Sequence, residues 1–120
     1  MGRKRQENGS PSKVELLIPT LQALIALGGS GAIEEINSKV YEIAQIKDDL
    51  LQIPHGTDEA ISEVDYQLHW SRTYLKKYGL LENSSRGIWD LSKADLDIKS
   101  LDPKKIIQTV VKQDRLLRRL

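Results

Sequence analysis

The chain has 120 residues, enough for one ordinary domain with its own core. It contains no cysteine, which excludes disulfides and thiolate zinc sites, and two histidines, His55 and His69, make a poor metal site on their own. Lysine and arginine total 18 against 17 aspartate and glutamate, a net charge of +1, so any affinity for nucleic acid must come from how charge is distributed.

Residues 1–10, MGRKRQENGS, have no apolar residue after the initiator methionine and are expected to form a flexible basic arm. Ser10 or Ser12 can then cap a first helix, with Leu16, Leu17, Thr20, Leu21, Leu24, Ile25 and Leu27 on its buried side and Gly28-Gly29 at its end. Pro19 falls inside this pattern and leaves a second start open, near Ile18. A second helix is expected from Ile33 to Ala44, with Glu34 and Glu35 favourably placed in its first turn. Residues 45–60 read as a single helical turn and a loop, longer than a minimal helix–turn–helix needs.

From Glu63 the pattern is stronger. Val64, Leu68, Ser71, Leu75 and Tyr78 recur at spacings of four and three and form the core stripe of a helix. At about 100° per residue the opposite face carries Tyr66, His69, Thr73 and Lys76, with Arg72 and Lys77 towards its edges. Gly79 ends the helix, and Leu80–Asn83 and Ile88–Leu91 read as hairpin arms around Ser84, Ser85, Arg86 and Gly87. Trp89 is in phase with Leu91 and Trp70 borders the core stripe, so both tryptophans are expected to cap the core. After a loop over residues 92–101, Asp102 and Pro103 open a final helix whose apolar residues include Ile106, Val110, Leu116 and Leu117.

The expected fold is mainly α with a small β-hairpin: a winged helix (winged helix-turn-helix) over residues 11–92 with an additional C-terminal helix over 93–120. That last segment would serve for dimerisation or as a linker. No apolar run approaches the roughly 18–20 residues of a membrane span, and the basic N-terminus leads into no hydrophobic signal core, so a soluble cytoplasmic protein is expected.

The run His69-Trp70-Ser71-Arg72-Thr73-Tyr74-Leu75-Lys76-Lys77-Tyr78-Gly79-Leu80-Leu81, followed by Arg86-Gly87-Ile88-Trp89 and Leu91-Ser92, resembles the N-terminal winged-helix domain of Mrr-type restriction proteins. Upstream, Pro19, Leu21, Leu24, Leu27 and Gly28-Gly29 are similar to that family's opening helix. The resemblance covers about two-thirds of the chain and implies DNA binding in a defence system that discriminates modified from unmodified DNA. The nuclease domain that follows in full-length Mrr-type enzymes has no counterpart in these residues. Gln45-Ile46-Lys47 matches part of its motif by spacing only, since no aspartate precedes it in the chain.

No nucleophile with a partner base, no paired carboxylates and no phosphate-cradling loop on a strand are apparent, so a binding module without cofactor or metal is expected rather than an enzyme. The candidate DNA-binding residues are Tyr66, His69, Arg72, Thr73, Lys76, Lys77, Ser84, Ser85 and Arg86, with double-stranded DNA as partner. Two other readings stay open. One is a small transcriptional regulator. The other is a protein-interaction module, or homodimer, built on the last helix through Ile106, Val110 and Leu117.

Overall fold

A computed structural model describes residues 8–119. Of the expected basic arm, residues 1–7 lie outside the described residues, while Ser10 is already fully buried and its amide donates to Asn8 Oδ1.

The first helix, α1 (Lys13–Ala26), starts at a capping box: the Glu15 amide donates to Ser12 Oγ, and the Ser12 amide donates back to Glu15 Oε1 at 3.2 Å. Pro19 lies within α1 and does not move its start. A proline costs the helix one amide donor, but its φ is helical, and Leu16, Leu17, Leu21 and Leu24, all buried, hold both halves on the core. Ile25, expected inside, is 45% exposed.

A short strand, β1 (Ser30–Ala32), then leads directly into α2 (Ile33–Ile43). One helical turn, α3 (Asp48–Leu51), follows as expected, but the rest of that insertion is not a loop. It folds into a small antiparallel hairpin of β2 (Pro54–His55) and β3 (Asp58–Ser62). Its end is fixed to the next helix by the Glu63 amide, which donates to the Ile53 carbonyl at 2.8 Å.

The long helix α4 (Glu63–Tyr78) is capped by Ser62 Oγ, which accepts from the Asp65 amide at 3.1 Å. Gly79 ends it at φ 102°, a left-handed conformation that a side chain would strain. Strands β4 (Leu81–Ser85) and β5 (Ile88–Leu91) pair antiparallel, with a register irregularity between Glu82 and Ser85. Strand β1 adds to the other edge of β5, giving a three-stranded sheet in the order β1-β5-β4. Beyond a 3-10 turn at Ile98–Ser100, α5 (Pro103–Arg118) is capped by Asp102, whose Oδ1 accepts from the Lys104 and Lys105 amides.

One core serves all of these elements. Leucines of α1 meet Ile36 and Val40 of α2, Val64, Leu68 and Leu75 of α4, Leu81 of β4 and Ile106 of α5, each at most 2% exposed. Each such side chain contributes roughly 1.5–3 kcal/mol by leaving water. Val110 is likewise fully buried, so Ile106 and Val110 pack within this chain and are not free to pair with a partner helix. Of the three residues expected at a partner contact, Leu117 alone stands out, at 65% exposed, beside Leu116 at 53%.

Candidate nucleic-acid interface

The face of α4 opposite its core stripe is the place to look for a ligand surface. Two carboxylates, Glu63 and Asp65, stand in its first turn, where they favour the positive end of the helix dipole but would repel phosphate. Both are turned inward. Glu63 is 6% exposed, with its Oε1 2.7 Å from His55 Nδ1 and its Oε2 accepting from Gln67 Nε2 at 2.7 Å. Gln67 in turn accepts from the Lys13 amide at 2.9 Å, joining the start of α1 to the same cluster. Asp65 accepts from the Tyr41 hydroxyl of α2. Burial, and then this hydrogen bond, push the Tyr41 phenol above its ordinary range.

With the acids drawn in, the outer face carries His69 and Lys76, both exposed, and Tyr66 and Thr73, both half-buried. Thr73 Oγ1 donates to the His69 carbonyl at 3.0 Å, a bond within the helix that fixes its rotamer. Tyr66 is stacked on His55 of the β2–β3 hairpin, ring centroids 3.5 Å apart and 14° from parallel. The insertion thus braces the exposed face near its N-terminal end.

Two of the expected basic contacts are placed differently. Arg72 is 4% exposed and is not a surface cation. Its Nη1 donates to Asn37 Oδ1 of α2 at 2.8 Å, its Nε has no partner among the described residues, and its guanidinium carbon lies 5.9 Å from the Trp89 ring centroid. Burial lowers its pKa, against the opposing pull of Asp65. The sequence places Arg72 at the edge of the exposed face; α2 and the sheet close over that edge, and the long side chain is enclosed. Lys77 is exposed, but its ammonium is 2.9 Å from Asp114 of α5, an ion pair between helices.

The hairpin carries Ser84, Ser85 and Arg86 at its exposed tip. Gly87 has φ 78°, closing the turn, and Asn83 Nδ2 donates to the Ser85 and Ile88 carbonyls at 2.8 and 2.6 Å, which fixes the shape of the tip. The hydroxyls of Ser84 and then Ser30 hold the Asp90 carboxyl below its usual range, although Asp90 Oδ2 is enclosed without a hydrogen-bond partner among the described residues. Arg86 has no hydrogen bond or ion pair among the described residues.

Trp89 of β5 joins hairpin and helix. It packs against the core as expected, and its ring lies 5.9 Å from both the Arg72 guanidinium and the Lys76 ammonium. Trp70 is not a core cap: it is 36% exposed and sits in an aromatic row with Tyr66 and Tyr74, each ring centroid 6.4 Å from its own. The spacing 66, 70, 74 was the available signal, since residues four apart share a helix stripe.

Helices α2 and α4, a hairpin behind α4 and a strand pairing from in front of α2 define a winged-helix domain. The sequence model of the Mrr N-terminal domain family matches residues 14–100, and the chain belongs to that family. No curated protein and no solved structure matches it. Helix α5 lies beyond the matched span.

Proposed function

We propose that this domain binds double-stranded DNA, with α4 in the major groove as the recognition helix and the β4–β5 hairpin as a wing against the neighbouring backbone. In this reading Tyr66, His69 and Thr73 reach base edges, Lys76 contacts phosphate, and Ser85 and Arg86 contact the backbone or minor groove from the wing. The observation that carries it is the treatment of charge on α4. Its two first-turn carboxylates are tied inward to His55, Gln67 and Tyr41, while Lys76 and the wing-tip Arg86 are exposed without carboxylate partners among the described residues.

Membership in the Mrr N-terminal domain family supports a finer reading, in which the domain serves a restriction system by reading modified duplexes. The domain acts by binding, and any cleavage belongs to another domain or partner.

Amide chemical-shift mapping tests the placement. Adding a duplex at low salt is expected to shift His69, Thr73, Lys76 and the 84–87 turn most strongly, with little change on α2. Shifts absent at saturating duplex, or confined to surfaces away from α4 and the wing, would sink the reading. Repeating the titration with adenine-methylated, cytosine-methylated and unmodified duplexes tests the finer part, since equal affinity across the three leaves a plain DNA binder.

A further inference from the structure

Helix α5 carries a second charged surface, outside the span that matches the family. At about 100° per residue, Lys104, Lys105, Lys112, Arg115 and Arg119 fall within an arc of about 100°, on the side opposite the buried Ile106 and Val110. All five are exposed, and none forms an ion pair among the described residues. The carboxylates of this segment are engaged elsewhere: Asp102 accepts from the Lys104 and Lys105 amides, and Asp114 pairs with Lys77.

Helix stability does not account for this arc. Arginines in the last turn suit the negative end of the dipole, but Lys104 and Lys105 stand in the first turn, where cations oppose the positive end and the one carboxylate is that of the Asp102 cap. Lys112 and Arg115 are three residues apart and Arg115 and Arg119 four apart, spacings at which like charges repel. No ion pair among the described residues offsets this gathering of like charge.

We infer that this arc of α5 is a phosphate-backbone contact surface for duplex DNA, separate from the α4 and wing contacts. From Lys104 to Arg119 the helix rises about 22 Å, the axial length of about six base pairs. The Lys77–Asp114 pair holds α5 beside the last turn of α4, so a duplex seated on α4 passes close to it. An anionic membrane fits less well, because such helices bury an apolar face beside the basic one and the apolar face of α5 is occupied by the core except at Leu116 and Leu117.

The test is the salt dependence of affinity for a random-sequence duplex, measured on the full chain. Replacing Lys104, Lys105, Lys112, Arg115 and Arg119 by Gln is expected to flatten the slope of log K against log salt by about 0.9 for each phosphate that the helix no longer neutralises. A charge-preserving variant, with Lys and Arg exchanged at the same five positions, is expected to keep the wild-type slope. The triple variant Lys104→Gln, Lys105→Gln, Lys112→Gln should fall between, and it serves if the five-fold variant does not fold.

An unchanged slope in the Gln variants overturns the inference, as does an equal flattening in the charge-preserving variant. It is also overturned if the Gln variants lose binding to anionic phospholipid vesicles while duplex binding is untouched. The α4 reading fails separately: Lys76→Ala with Arg86→Ala would then bind like wild type while the α5 variants weaken.

Discussion

Arg72 Nη1 donates to Asn37 Oδ1 at 2.8 Å across the junction of α4 and α2, where the arginine is 4% exposed. A charged group that far from water, with one neutral side-chain acceptor and an Nε without a partner among the described residues, depends heavily on that acceptor. Asn37→Ala is therefore expected to destabilise the domain by about 1.5–3 kcal/mol, read as a lower urea midpoint at unchanged m. Arg72→Ala, which also removes packing against Trp89, is expected to cost about 2–4 kcal/mol. Either variant unfolding like wild type would contradict the buried placement.

The two tryptophans should behave oppositely. Trp89 is packed against the core beneath two cations, and Trp89→Ala is expected to lower stability by about 2–4 kcal/mol. Trp70→Ala, at an exposed position, is expected to change it by less than about 1 kcal/mol. In the folded protein, acrylamide should quench the single tryptophan of Trp89→Phe more readily than that of Trp70→Phe. The reverse order would return Trp70 to the core.

Acid should weaken the sheet through Asp90. The neighbouring Ser84 and Ser30 hydroxyls favour its ionised form, so its folded pKa is depressed. A depressed carboxyl contributes stability that is present above its unfolded value of about 4 and is lost as pH falls through the folded value. Thermal melts from pH 7 downward should show this loss below about pH 4, and Asp90→Asn should show a smaller loss over the same window. Parallel profiles for the two proteins would contradict a depressed Asp90 carboxyl.

Much of this architecture was legible in the sequence because it rests on periodicity and caps. The stripe Val64, Leu68, Ser71, Leu75 is fully buried, Gly79 is left-handed at the helix end, and Asp102-Pro103 opens α5. Part of what stayed hidden depends on partners distant in sequence. Strand β1 is three residues without alternation, and it exists because β5 offers Asp90, Trp89 and Ile88 as partners. The β2–β3 hairpin was hidden for another reason: its pairing, Pro54 with Ser62 and His55 with Asp58, is local, but Asp58, Glu59 and Ala60 carry no strand signal.

The exposure of the candidate residues was legible for His69 and Lys76 and misread for Arg72, for a related reason. A helical wheel locates Arg72 at an edge but cannot say whether another element covers that edge; α2 and Trp89 do. Lys77 lies where the wheel puts it, yet Asp114, 37 residues away, claims its charge. The inward anchoring of Glu63 and Asp65 by His55 and Tyr41 turned two apparent obstacles to a phosphate partner into parts of the frame.

The most direct measurement is the affinity of the full chain for duplex DNA across a salt series, compared with Lys76→Ala combined with Arg86→Ala. Wild type is expected to bind at low salt with an affinity that falls steeply as salt rises, and the double variant to bind more weakly with a slope flatter by about 1.8, two phosphates at about 0.9 each. No duplex binding at low salt, or identical curves for the two proteins, would contradict DNA recognition through α4 and its wing.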